Sequence, residues 1–134
     1  MKKPNLWILI LFINFQLIAT KTYHEGNILE LIKKYLPKNP NILEAVSHWG
    51  EDTIKMSKKW PLGKIFAFEP FNESYSKLLS VVEKTSNVNC YNVALSDKIG
   101  KSNFYVCTNT GANSLLAPKP LISSYLFFDK EPLL

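Results

Sequence analysis

The sequence contains no arginine, so all 16 of its basic residues are lysines. Because arginine supplies most bidentate contacts to guanine and to phosphate, this absence argues against a nucleic-acid partner. The two cysteines exclude a miniprotein held together by disulfides, and with only two histidines a zinc cluster built from cysteine and histidine is nearly excluded. We therefore expect neither a nucleic-acid partner nor a metal site.

The chain has only 134 residues, enough for one hydrophobic core but not for two. Its hydrophobic fraction of 46% and its charged fraction of 20% are those of an ordinary globular domain. The formal net charge of +5 is concentrated at the start, since three lysines precede Tyr23 and the remaining 13 lysines oppose 11 acidic residues. A nearly neutral body gives no indication of an anionic polymer as partner.

No apolar run has the length of an ordinary membrane-spanning helix. The longest covers residues 6–19 and follows two lysines. As a helix it would span roughly 21 Å, against roughly 30 Å for the hydrocarbon core of a bilayer. A charged start and a short apolar centre are typical of a signal peptide, although Leu17 is not the small residue that a cleavage site prefers. We predict residues 1–22 as a signal peptide or a membrane anchor formed by a hydrophobic helix, with a buried helix as the alternative. This segment predicts localisation at a membrane or in the secretory pathway.

Residues 23–134 are predicted to form the folded domain, in which helix and strand patterns alternate. The predicted elements are a helix from Asn27, a strand at 41–46, a helix at 51–60, a strand at 64–68, a helix from Asn72, and strands at 88–95 and 102–107. Such alternation indicates a parallel sheet with crossover helices. We therefore predict an α/β fold of Rossmann-like architecture, which binds ligands at the carboxyl ends of its strands.

Polar residues follow three of the predicted strands. The first strand leads through Glu44 to Gly50, the second ends at Glu69, and the third leads to Asp97. An acidic residue about twenty positions beyond a glycine turn is where dinucleotide-binding and nucleoside-binding folds hold the ribose hydroxyls. A carboxylate suits that role because it accepts two hydroxyl hydrogen bonds on adjacent oxygens.

Three longer strings carry a more specific signal: NILEAVSHWGEDTIKMSKKWP, GKIFAFEPFNESYSKL, and NVNCYNVALSDKIGKSNFYV followed by GANSLLAP. From Asn41 to Pro118 they span about 78 of the 134 residues, and they resemble the FkbM-type family of S-adenosylmethionine-dependent methyltransferases. Phe68-Glu69-Pro70 and Ala94-Leu95-Ser96-Asp97 are the most distinctive parts of the resemblance.

The resemblance implies a Rossmann-like three-layer sandwich that binds S-adenosylmethionine. It implies that Glu44 and the Ser47–Gly50 turn hold the methionine part of the cofactor, that Glu69 accepts the ribose hydroxyls, and that Asp97 lies beside the adenine. The implied cofactor-binding residues are Glu44, Ser47, His48, Gly50, Glu69 and Asp97. The resemblance identifies no catalytic base in this chain and no metal ligand.

Two features depart from the family pattern. Val46 stands where the pattern has glycine, and a β-branched residue restricts both the backbone and the approach of a ligand. A complete domain of this kind has about seven strands and roughly 200 residues, whereas this sequence predicts about four strands. We therefore expect a truncated domain that lacks the part contributing the acceptor site.

The leading interpretation is a truncated methyltransferase that transfers a methyl group to a hydroxyl of a small molecule or a sugar. The alternatives are an inactive remnant, a membrane-tethered module that binds a nucleoside, and a secreted interaction protein that keeps only the fold. Because S-adenosylmethionine is a cytosolic metabolite, a domain tethered through residues 6–19 and facing the cytoplasm would reconcile the leader with methyl transfer.

Overall fold

A parallel sheet with one layer of helices forms the centre of the computed structural model, which describes residues 8–12, 25–107, 110–117 and 128–132. The elements are β1 (Ile8–Phe12), α1 (Glu25–Lys33), β2 (Asn41–Ala45), α2 (Glu51–Lys59), β3 (Lys64–Phe68), α3 (Asn72–Val82), β4 (Val88–Tyr91), β5 (Asn103–Cys107), a 3-10 turn (Thr110–Ala112) and β6 (Phe128–Pro132). Strands β2, β3 and β4 are parallel neighbours in that order, and β1 pairs in parallel with the other edge of β2. The predicted α/β class with a parallel sheet is confirmed, and the arrangement is compatible with a Rossmann-like fold.

The N-terminal helix predicted for the leader is not found in the described residues. Ile8–Phe12 is instead a strand that pairs with Asn41–Ala45. A run of five apolar residues is compatible with a helix and equally with a strand buried in a parallel sheet, so the pattern alone could not separate the two. The rest of residues 1–22 lies outside the described residues. Among the helices that the structure describes, none has the length and apolar character needed to cross a bilayer.

The hydrophobic core lies between the helices and one face of the sheet. Strand register places Ile42, Ile65 and Val88 side by side on that face. One cluster joins them to the first two helices, and a second joins the sheet to α3. The buried members of the two clusters are Leu29, Ile42, Met56, Trp60 and Ile65, and Ala67, Leu78 and Val82. The described helices thus form a single layer, and the second helical layer of the predicted three-layer sandwich is not seen in this part of the chain.

The fourth predicted strand does not extend the parallel sheet. Strand β5 pairs antiparallel with β6 in a separate two-stranded sheet. A parallel connection needs a crossover of a dozen or more residues, usually with a helix. Only an irregular segment separates Tyr91 from Asn103, so β5 cannot return in parallel beside β4.

Candidate functional site

Residues 46–50, the 46–50 turn, connect β2 to α2, and three of these five residues have a positive φ. The φ angles of Val46, His48 and Gly50 are 61°, 50° and 86°. Glycine adopts such angles freely. For a residue with a Cβ atom this conformation costs roughly 1–2 kcal/mol of stability, and β-branched residues are rarely found in it. The amide of Ser47 donates to the carbonyl of Phe68 at 3.0 Å, and the amide of Gly50 donates to the carbonyl of Ser47 at 2.9 Å. These hydrogen bonds fix the turn against the carboxyl end of β3.

Glu69 directly follows β3 and is 2% exposed. Its Oε2 accepts a hydrogen bond from the backbone amide of His48 at 2.8 Å, and its Oε1 accepts one from the amide of Phe71 at 2.9 Å. Beyond β4, the side-chain amide of Asn92 donates to the main-chain carbonyl of Glu69 at 2.9 Å. Burial raises the pKa of the Glu69 carboxyl, and the two backbone donors partly offset that effect. One acidic residue therefore connects the carboxyl ends of β2, β3 and β4.

Glu44 is a second buried acid, at the last position but one of β2. Thr53, in the first turn of α2, donates its hydroxyl to Oε2 of Glu44 at 2.5 Å. Burial raises the pKa of the Glu44 carboxyl to about 7, although hydrogen bonds from Thr53 and Ser47 lower it. The nearby carboxylates of Asp52 and Glu51 raise it further. This carboxyl group therefore titrates near neutral pH.

An aromatic stack lies on the 46–50 turn. The ring of His48 is stacked on the indole of Trp49, with centroids 4.6 Å apart, and Nζ of Lys77 in α3 lies 4.0 Å from the centroid of that indole. Nε2 of His48 is also 2.9 Å from Oγ1 of Thr110. The pKa of His48 is lowered, mainly by burial, while Glu51 raises it and Lys77 lowers it. These contacts tie the turn both to α3 and to the segment that follows β5.

Helix α3 packs directly on the main chain of the turn. A Cβ atom at Gly50 would lie 2.8 Å from Cδ1 of Leu78, a distance that side chains do not tolerate without movement. Together with its positive φ, this contact explains why glycine occupies position 50.

The structure brings five of the six sequence-predicted residues together: Glu44, Ser47, His48, Gly50 and Glu69. Asp97 is exposed in the loop beyond β4, where its carboxylate accepts a hydrogen bond from Ser96 at 3.1 Å. In the described ranges, no hydrogen bond or ion pair connects Asp97 to Glu69 or to the turn. No group of three or more histidine, cysteine or acidic side chains gathers as metal ligands would in the same ranges.

Three contributors to the site were not predicted: Thr53, Asn92 and Thr110. The position of Thr53 could have been found, because the third residue of a helix that begins after a glycine turn faces back toward the strand end. Asn92 and Thr110 carry no local signal, since their partners Glu69 and His48 lie 23 and 62 residues away in the chain.

No protein-family model matches the chain. "Methyltransferase sdnD" of Sordaria araneosa is 33% identical over 87 residues, which cover 63% of this chain and 34% of that protein. The chain thus matches about a third of the length of this curated relative. The similarity supports a relationship to methyltransferases at a level coarser than any one methyltransferase family.

Proposed function

We propose that the chain carries the S-adenosylmethionine-binding part of an FkbM-type methyltransferase that acts on a hydroxyl of a small molecule or a sugar. The position of Glu69 carries this proposal. Its carboxylate accepts a hydrogen bond from the backbone amide of His48 in the 46–50 turn. This contact lies at the carboxyl ends of parallel strands, where α/β folds bind their ligands. The partial similarity to a protein named a methyltransferase supports the same assignment.

The residues at the strand ends suit this cofactor. A carboxylate offers about four acceptor positions, and backbone amides use one on each oxygen of Glu69, which leaves two for the hydroxyls of a ribose. Glu44 is a buried acid without an ion-pair partner in the described residues, so its carboxylate suits the ammonium group of the methionine part.

When bound, S-adenosylmethionine supplies a methyl group on a positively charged sulfonium, which is already electrophilic. The residues of this chain then bind and orient the cofactor. Glu69 would fix the ribose, Glu44 the ammonium group, and the hydrogen bonds of Ser47 and Gly50 keep the turn in one shape before the ligand arrives. Holding a reactant in a fixed orientation lowers the barrier to transfer because orientation entropy is lost beforehand.

Isothermal titration calorimetry on the full chain tests the proposal, with S-adenosylmethionine and S-adenosylhomocysteine as ligands. We expect both to bind, and Glu69→Ala to weaken binding at least about tenfold, because each hydrogen bond to a charged acceptor contributes about 1.5–3 kcal/mol. Glu83→Ala, which removes an exposed acid at the end of α3, is the matched control and should bind normally. Circular dichroism establishes that each variant is folded. Absence of binding by either ligand to the folded wild-type chain would refute the proposal.

Val46 favours a second candidate function, which is nucleoside binding without methyl transfer. The backbone of Val46 has a left-handed φ, at a position where the family pattern has glycine. If this candidate is correct, adenosine and S-adenosylhomocysteine bind to the chain, but no S-adenosylhomocysteine forms from S-adenosylmethionine in the presence of hydroxyl acceptors. Product formation that depends on Glu69 would favour the first candidate instead.

Association of the chain with a membrane or with the secretory pathway stays a prediction from residues 6–19. We propose that the domain faces the cytoplasm, where the cofactor is available. Fractionation of the tagged full chain, with protease protection of the tag, tests this proposal. Recovery of the chain in the medium would contradict it.

A further inference from the structure

The environment of Glu44 is unusual for an acidic side chain. Glu44 is 3% exposed, and the hydroxyl of Thr53 donates to its carboxyl group. Around it, α2 contributes Thr53 and the acidic Asp52 and Glu51, and the 46–50 turn contributes Ser47. In the described part of the chain, no basic side chain forms an ion pair with it.

In the part of the chain that the structure describes, β3, β4 and α3 form no ion pair with Glu44 either. Strand register places Glu44, Ala67 and Cys90 in one row across the sheet. Cys90 is a free thiol whose pKa is raised by burial and by the charge of Glu44, and the hydroxyl of Tyr75 in α3 donates to the Cys90 carbonyl. Within the described residues, the titratable groups that act on Glu44 or are affected by its charge are therefore two acids and a thiol.

A buried carboxylate without a cation is costly, and such a group avoids the cost by keeping its proton. Protonation removes the negative charge but also removes the feature that would attract a positively charged ligand. A cation that reaches the carboxyl group must therefore displace the proton, and binding and deprotonation become linked.

We propose that Glu44 exchanges its proton for the ammonium group of the ligand, so that binding at the 46–50 turn releases a proton and weakens as the pH falls. This inference rests on the proposed function, because the ammonium group belongs to the methionine part of the cofactor. The proton leaves the Glu44 carboxyl group for solvent, and the ammonium group takes its place as the electrostatic partner. The nearly neutral titration of Glu44 puts this exchange within the physiological pH range.

Calorimetry with S-adenosylhomocysteine and with adenosine separates this exchange from the remainder of the binding reaction. Both ligands carry the nucleoside, but only S-adenosylhomocysteine carries the ammonium group. We expect S-adenosylhomocysteine to bind about tenfold more weakly at a pH one unit below the pKa of Glu44 than at a pH one unit above it. Titration in buffers of different ionisation enthalpy measures the released proton directly. Adenosine should release no proton from Glu44.

Glu44→Gln provides the decisive comparison, with Glu83→Gln as the matched control on an exposed acid. In Glu44→Gln, the affinity for S-adenosylhomocysteine should be low, and the component of its pH dependence near pH 7 should disappear. Thr53→Val keeps the acid but removes its hydrogen-bond donor, so we expect it to shift the midpoint of the pH dependence upward. This variant also supports the test if Glu44→Gln fails to fold.

Two outcomes distinguish failure of this inference from failure of the proposed function. If S-adenosylhomocysteine binds with the same pH dependence to wild type and to Glu44→Gln, the proton exchange is refuted and the cofactor assignment stands. If neither S-adenosylhomocysteine nor adenosine binds, both are refuted. Carbon-13 NMR of the free chain gives a readout without any ligand, in which the Glu44 carboxyl resonance should titrate near pH 7.

Discussion

Replacement of Val46 by glycine should reduce the stability of the chain less than the same replacement at another half-exposed valine. Val46 has a φ of 61° and is 50% exposed, whereas Val93, in the loop after β4, is 46% exposed and does not have a positive φ. Both replacements remove the same atoms from a half-exposed position. Only one of them relieves a left-handed backbone.

The magnitude follows from three contributions. Relief of the left-handed conformation at Val46 contributes roughly 1–3 kcal/mol of stability. The greater freedom of glycine in the unfolded chain costs about 1 kcal/mol, and removal of a half-buried valine side chain costs about 1 kcal/mol more. We therefore expect Val46→Gly to be close to neutral or slightly stabilising, and Val93→Gly to destabilise by about 2 kcal/mol.

Urea unfolding of the two variants measures this difference directly. The costs common to both positions cancel, and a difference of about 2 kcal/mol separates the two midpoints by about 1 M at an m-value of about 2 kcal/mol per M. Equal destabilisation by the two replacements would refute the interpretation of Val46 as a strained residue.

The same replacement has an expected effect on the ligand. Glycine at position 46 removes a side chain from the turn that is proposed to hold the methionine part of the cofactor, so Val46→Gly should strengthen binding of S-adenosylhomocysteine. Calorimetry with wild type and variant measures the change. Equal affinities would count against a contact between position 46 and the ligand.

Three further predictions concern the buried acids and the glycine of the turn. Glu69→Gln should lower the free energy of unfolding by about 1.5–3 kcal/mol, because the NH₂ group that replaces one oxygen cannot accept a hydrogen bond from the backbone N–H it faces. Unchanged stability in urea unfolding would show that these hydrogen bonds contribute little. Gly50→Ala should destabilise by about 1–2 kcal/mol, mainly because alanine disfavours the left-handed φ of this position, while the end of the Leu78 side chain has to move aside for the new Cβ. A loss of stability no larger than that of an exposed control would contradict strain at position 50. The pKa of Glu44 rises from 4.5 to about 7 on folding, so the wild type should lose about 3 kcal/mol of stability as the pH rises through this window. Glu44→Gln should not show this loss. Parallel plots of unfolding free energy against pH for the two proteins would be inconsistent with this titration.

Local patterns were sufficient to predict the central part of the fold. Strands β2 and β3 carry nearly continuous apolar runs, as strands buried in a parallel sheet do, and both were located within one residue of their observed bounds. The strand at Ile8–Phe12 was missed because five apolar residues after lysines also fit a leader helix. Pairing of β5 with β6 was missed because it depends on residues far along the chain.

The candidate site could be predicted in part for a topological reason. Carboxyl ends of neighbouring parallel strands share one edge of the sheet, so Glu69 had to lie near the turn that follows β2. The residue types alone did not predict the left-handed backbone at Val46 and His48, since valine disfavours it and histidine adopts it in only a minority of cases. The glycine that the family pattern has at position 46 was the one signal for it. Asp97 lies beyond the regular part of β4, where strand topology no longer determines position.

The hydrogen bonds of Glu69 have a consequence for local opening of the chain. Through its carboxylate and its carbonyl, this residue contacts the loops that leave three successive strands. If any one of these loops detaches, at least one hydrogen bond of Glu69 is lost. Amide hydrogens of the three segments should therefore exchange with solvent as one cooperative unit, with a common opening free energy.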